Sequence, residues 1–230
     1  MQTLSSEQRR FFEQAVSQYQ SDLAGPAGTG GRAYLASRGI SPEVAARFRL
    51  GVATCPLAGH ERYAGRLCIS YLTPAGPVNL RFRCIADRCV KAPDGRYLHQ
   101  LDQPEQHEGH PKYRSLDGVS GNLYNVLDLK RDSPFICVTE GELDALTLSM
   151  CGLPAVGVPG VKTWQKHFSR CLEDFDVIYA FGDGDDAGSK FSSFLAKEAR
   201  ARPISMPSGM DVNSLYLKEG ADALRRLLKS

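Results

Sequence analysis

The chain has 230 residues, 42% hydrophobic and 23% charged, and its 28 basic and 26 acidic side chains leave a net charge of +2. This composition excludes a disordered or collagen-like chain, and the length can bury one good core or two small ones. No stretch reaches the roughly 18 apolar residues of a membrane helix, and Met1-Gln-Thr-Leu4 has no signal-peptide pattern, so a cytoplasmic protein without membrane contact is expected. Seven cysteines at irregular spacing argue against a disulfide framework.

In chain order, residues 5–23 predict a helix, capped by Ser5 or Ser6, with Phe12, Val16, Tyr19 and Leu23 on one face. Gly25 to Gly31 predicts a turn or linker, and it lacks the Gly-Lys-Ser/Thr ending of a phosphate loop. Short helices follow at 32–37 and 42–48, ended by Gly39 and capped by Ser41 respectively. Strands are predicted at 66–72 and 77–83, around a hairpin turn at Thr73-Pro-Ala-Gly76. Residues 85–110, rich in Asp, Gln, His and Pro, predict an inserted exposed loop. Cys84, Cys89, His107 and His110 offer zinc-binding side chains, but the spacings fit no usual finger and zinc is not expected. His60 and His167 show no partner pattern and are expected at the surface.

From residue 134 strand and helix alternate. Strands are predicted at 135–139, 154–158, 177–181 and 203–206, with helices at 142–151, 163–173, 187–200 and 221–229. The expected fold class is α/β: a Rossmann-like, mostly parallel sheet of about four strands flanked by helices, preceded by a smaller basic α+β subdomain. The expected divisions are an N-terminal helix (1–24), a basic subdomain (25–130) and the sheet domain (131–230). Residues 1–130 carry 16 basic against 12 acidic side chains, and residues 131–230 carry 12 against 14. Between Arg47 and Arg96 the balance is nine to three. A basic module beside an acidic one suits an enzyme that grips phosphates and gathers divalent cations.

The acids are not scattered. Phe181-Gly-Asp-Gly-Asp-Asp-Ala-Gly188 follows the apolar run Val177-Ile-Tyr-Ala180, so Asp183 and Asp185 leave an extended segment on the same side. Two such carboxylates repel, and a hard divalent cation relieves the repulsion. Asp186 should face away from them. Phe135-Ile-Cys-Val-Thr139 predicts a second buried strand, which ends in Glu140-Gly141 before a helix opening Glu142-Leu-Asp144. Gly141 removes a Cβ where chain or ligand approaches closely. A third acid, Asp211, follows the short strand near residue 203, so three strand ends bring acids to one sheet edge.

Together Thr139-Glu-Gly-Glu-Leu-Asp-Ala-Leu146, the Asp183 to Gly188 run and Asp211-Val-Asn213 resemble the TOPRIM domain of DnaG-type primases. Arg32-Ala-Tyr-Leu-Ala-Ser-Arg-Gly-Ile-Ser41, Phe48-Arg-Leu-Gly51, Gly65 to Tyr71, Val78 to Arg83, Pro111-Lys-Tyr-Arg-Ser115 and Leu123-Tyr124 resemble that family's polymerase region. The resemblance covers roughly residues 5–220. It implies a primase catalytic core that makes short RNA primers on single-stranded DNA from NTPs. It implies Mg²⁺ or Mn²⁺ held by Glu140, Asp183 and Asp185 as catalytic acids, with Asp144 and Asp211 as further metal-binding acids. Arg66, Arg81, Arg83 and Lys112 match basic positions expected to hold template or nucleotide phosphates, as Arg does with its planar fork. Tyr113, Trp164 and Phe181 could stack on bases, though packing is the plainer expectation for each.

Two departures stand out. Neither the family's zinc ribbon nor a helicase is expected beside this polymerase region, so a replicative helicase or a separate template-reading protein is the expected partner. Asn213 stands where bacterial relatives carry a second aspartate, which points to a phage-like primase and removes a ligand. The competing expectations are a TOPRIM nuclease and a binding or recruitment module that has kept the fold without the activity.

Overall fold

The computed structural model describes residues 4–85, 90–91, 97–98, 111–118 and 121–229. Cys89, His107, His110 and most of the expected loop lie outside the described residues. Two compact units emerge: Met1–Ser70 with Gly76–Val119, and Tyr71–Ala75 with Ser120–Ser230. The N-terminal helix belongs to the first unit and residues 71–75 to the second.

In the first unit, α1 (Ser6–Ala24) starts at a capping box: Gln8 N–H donates to Ser5 Oγ and Ser5 N–H to Gln8 Oε1. Its apolar face buries Phe12, Val16, Tyr19 and Leu23. α2 (Thr29–Ser37) and α3 (Pro42–Arg47) follow. The expected Gly25–Gly31 linker is instead a 3₁₀ turn at Pro26–Gly28 running straight into α2. Strands β1 (Gly51–Val52), β2 (Leu67–Thr73) and β3 (Gly76–Arg83) come next, then the antiparallel pair β4 (Val90–Lys91) and β5 (Tyr97–Leu98), then β6 (Tyr113–Ser115). The sheet order is β1-β2-β3-β6.

The core of this unit is aromatic. Tyr63 and Phe82 stack with centroids 4.0 Å apart, and Tyr19 meets Phe82 edge-on. His60, expected at the surface, is 4% exposed between Phe11, Tyr19, Tyr63 and Phe82. Its Nδ1 lies 2.8 Å from the Tyr19 hydroxyl. Sequence spacing misses it because its neighbours come from three separate segments.

The second unit holds β7 (Phe135–Thr139), α4 (Glu142–Met150), β8 (Ala155–Gly157), α5 (Lys166–Leu172), β9 (Val177–Phe181), α6 (Asp186–Ala199), β10 (Arg202–Ile204), α7 (Val212–Glu219) and α8 (Ala221–Leu227). Its four strands are parallel in the order β10-β9-β7-β8. Ile136, Val138, Ile178 and Ala180 pack with Phe168 and Leu172 of α5 and Phe191 and Leu195 of α6. Each fully buried large side chain here contributes about 1.5–3 kcal/mol. Leu143, Ala145, Leu146 and Leu148 of α4 are buried, and α4 packs on β7, β8 and α7. No helix among the described residues is long and apolar enough to cross a membrane.

The order β10-β9-β7-β8 reverses direction between β7 and β9, the two central strands. Their register pairs Thr139 with Phe181. Glu140 and Gly182 therefore leave the sheet side by side, at the switch point where open parallel sheets place their ligands.

Candidate active site

Glu140 follows the last residue of β7 and is half-buried. Its carboxyl is pushed above the ordinary range, first by burial and then by the charges of Asp183 and Asp185. Each of these influences acts in the same direction, which leaves Glu140 in an acidic field. Asp183 and Asp185 are exposed in the loop after β9.

That loop is held tightly. Asp185 caps α6, accepting the Gly188 N–H on Oδ1 at 2.8 Å. A Cβ on Gly188 would stand 2.0 Å from the Asp183 carbonyl oxygen, and one on Gly182 would stand 2.0 Å from that of Gly188. Both glycines are therefore required where the loop folds onto the helix start. Gly184 N–H donates to Met210 O, and Gly209 N–H to Gly184 O, each at 2.8 Å, lacing this loop to the one before α7. Asp186 opens α6 and joins Asp183, Asp185, Ser189 and Ser192 around an open cavity of about 510 Å³.

Asp211 caps α7, a helix the spacing did not predict. Ser214 N–H donates to Asp211 Oδ1 at 2.7 Å, and Asp211 N–H donates to Ser214 Oγ at 2.9 Å. A serine at the third helical position supplied the signal, within a box usually completed by Glu or Gln. Asn213 is 1% exposed; its backbone N–H donates to Asp144 Oδ1 at 3.2 Å and its Nδ2 to Thr147 Oγ1 at 3.0 Å. Glu142, which carried no expectation, is also buried and accepts the Tyr71 hydroxyl at 2.6 Å.

The structure thus draws Glu140, Asp183 and Asp185 into one electrostatic group, while Asp144 and Asp211 serve the first turn of α7. Among the described residues no three Asp, Glu, His or Cys side chains already stand as a closed metal cage. The donors available are carboxylate oxygens, which fit a hard divalent cation and not a thiolate-seeking metal. Each capping carboxylate uses only one oxygen in its cap, and two oxygens are present.

The four expected phosphate-binding residues differ in exposure. Arg66 is 2% exposed, with Nη1 donating to the carbonyls of Pro111 at 3.2 Å and Lys112 at 3.4 Å. Arg83 is buried, donates to the Tyr113 hydroxyl and lies over the rings of Tyr34 and Tyr113. Arg81 is half-buried, 4.5 Å from the Tyr113 centroid, and Lys112 is exposed. Tyr113 is therefore flanked by guanidinium groups, while Phe181 is buried and Trp164 packs on the second core.

A parallel sheet with an acid at the end of one central strand and an Asp-x-Asp pair after its neighbour defines a TOPRIM domain. A family model described as Toprim-like matches residues 137–216. The chain belongs to the DnaG-type, phage-like primase catalytic core family. It is 43% identical to the gene 57 protein of Mycobacterium phage D29 over 118 residues, covering 51% of this chain and 78% of that protein. A DNA primase of Pseudomonas aeruginosa is 28% identical over 258 aligned positions, covering 96% of this chain but only 37% of the primase. The fold is that of a solved DnaG primase catalytic domain bound to single-stranded DNA, at a TM-score of 0.71 and 21% identity, covering 98% of this chain and 80% of that one.

Proposed function

We propose that the chain is a primase catalytic core that joins ribonucleotides into short RNA primers on single-stranded DNA. The observation that carries this is Glu140 beside Asp183 and Asp185 at the switch point of the parallel sheet, with burial first and then the two aspartate charges raising the Glu140 carboxyl. Glu140, Asp183 and Asp185 would hold Mg²⁺ or Mn²⁺, with Asp211 as a further acid; the cation supplies activation of the primer hydroxyl and charge neutralisation at the leaving pyrophosphate. The Gly182–Gly188 packing fixes the Asp-x-Asp loop before substrate arrives, so little reorganisation remains for the reaction. Lys112 and Arg81, the more exposed of the basic set, bind template or nucleotide phosphates. Arg66 and Arg83 hold β6, which carries Tyr113, in place beside them.

The single-stranded DNA named for the DnaG structure supports a nucleic-acid template here. A replicative helicase or a separate template-reading protein is the partner class that fits, and the work is done in the cytoplasm of a bacterial host. The test is primer synthesis from labelled NTPs on random-sequence single-stranded DNA with Mg²⁺ or Mn²⁺. The wild type is expected to make short RNA products and Asp183→Asn none. DNA binding without any product from the wild type would favour a recruitment module instead.

A further inference from the structure

The family resemblance assigns Asp144 to the cation, but its surroundings assign it elsewhere. Oδ1 accepts the N–H of Asn213 in the first turn of α7. Oδ2 lies over Gly141, where a Cβ would come within 2.7 Å of it. The close approach that Gly141 permits is therefore to the carboxylate of Asp144, one turn along the same helix. Asn213 reaches back to α4 through Nδ2 to Thr147 Oγ1, and the Thr147 hydroxyl donates to Leu143 O at 2.7 Å. A carboxylate at position 213 would meet Thr147 in a site only 1% exposed, on a residue whose backbone N–H already donates to the Asp144 carboxylate, and a second negative charge there is costly. The carboxamide ties the same two helices without that charge.

On α7 itself, Asp211 takes the third N–H and Asp144 the second. Both groups sit where the helix dipole favours anions. The first turn of α7 is thus set by one carboxylate from its own cap and one from α4.

We infer that Asp144 is a positioning residue: with Gly141 and Asn213 it clamps α7 to α4, and so sets where Asp211 stands relative to Glu140, Asp183 and Asp185. Its hydrogen-bond acceptance matters more than its charge. This rests on the cation reading above only for its consequence, since the clamp exists without the cation.

The experiment uses the full chain in two arms. The first follows amide hydrogen exchange at Asn213 in metal-free protein. The second measures Mn²⁺ affinity by electron paramagnetic resonance, with Asp183→Asn as the reference loss. Asp144→Asn keeps an acceptor oxygen and is expected to retain Asn213 protection and bind Mn²⁺ within about threefold of wild type. Asp144→Ala is expected to lose that protection and weaken Mn²⁺ by about tenfold, the usual scale for removing an outer-shell support. Equal tenfold losses in both variants would make Asp144 a ligand through its charge and overturn the inference. Unchanged exchange at Asn213 in a folded Asp144→Ala would overturn it as well. Should Asp144→Ala fail to fold, Asp144→Asn decides alone: retained protection and affinity support the clamp, and a tenfold loss of affinity overturns it. If Asp183→Asn binds Mn²⁺ as well as wild type, the cation reading falls, and the exchange arm still decides the clamp.

Discussion

The two units handle charged side chains in opposite ways. In the first, Arg66 and Arg83 are buried, Arg66 donating to backbone carbonyls and Arg83 donating to a hydroxyl and lying over aromatic rings, so the fold engages both guanidinium groups. In the second, Glu140 is half-buried among like charges, and each influence on its carboxyl raises it. A buried charge held by hydrogen bonds and ring contacts belongs to the architecture, whereas mutually repelling carboxylates at a strand end store an unmet demand that a cation can answer. Charge alone does not distinguish the two; partners do.

The largest expected effect falls on activity. Asp183→Asn should lower primer synthesis by about a hundredfold or more, with the melting temperature of the metal-free protein held or raised. A large loss of melting temperature would place Asp183 with the architecture and break the contrast. Next, Gly188→Ala should cost about 3 kcal/mol or more, because the added Cβ meets backbone that cannot move away. Urea melts with hydrogen exchange should show that loss in the second unit, and a change under 1 kcal/mol would contradict the packing of the loop.

Arg83→Ala should cost about 2–4 kcal/mol in the first unit by leaving Tyr34 and Tyr113 without the group packed between them. If the variant instead melts like wild type but binds single-stranded DNA poorly, Arg83 is a phosphate ligand before it is a structural one. A smaller effect concerns pH. Burial is the main cause that depresses the His60 pKa, with Glu61 opposing it and Arg62 adding to it. The unfolded chain then binds the proton more readily than the folded one. Stability from His60 is full above its unfolded value of about 6.5 and is lost as pH falls through that value toward the lowered one. Melts of wild type and His60→Phe between pH 5 and pH 8, a window bracketing that value, should diverge only at the acid end. Parallel curves would place His60 outside this balance.

The smallest effect on stability is at Glu140. Its folded carboxyl is raised, so ionisation costs the metal-free fold some stability, absent at acid pH and felt as pH rises past the ordinary carboxylate range. Glu140→Gln should therefore raise the metal-free melting temperature at neutral pH while removing cation binding. A lowered temperature would show that the carboxylate is paired after all.

Much of this was legible along the chain. The spacing of Phe12, Val16, Tyr19 and Leu23 announces α1, and the apolar runs ending at Thr139 and Phe181 announce the two central strands. Local periodicity encodes them because each buries one face or two. α7 escaped notice since its signal is a cap and not a stripe. His60 escaped it because the rings of Phe11, Tyr19 and Phe82 converge on it from distant segments.

By itself, then, the sequence determined the alternating strands and helices and the acids at the strand ends, since both depend on near neighbours in the chain. Which acids share a field and which cap a helix was decided only in three dimensions. Asp144 and Asn213 are 69 positions apart, and their hydrogen bond exists only because α4 and α7 pack together. The same holds for the burial of Arg66, whose partners at Pro111 and Lys112 lie more than 40 residues further along the chain.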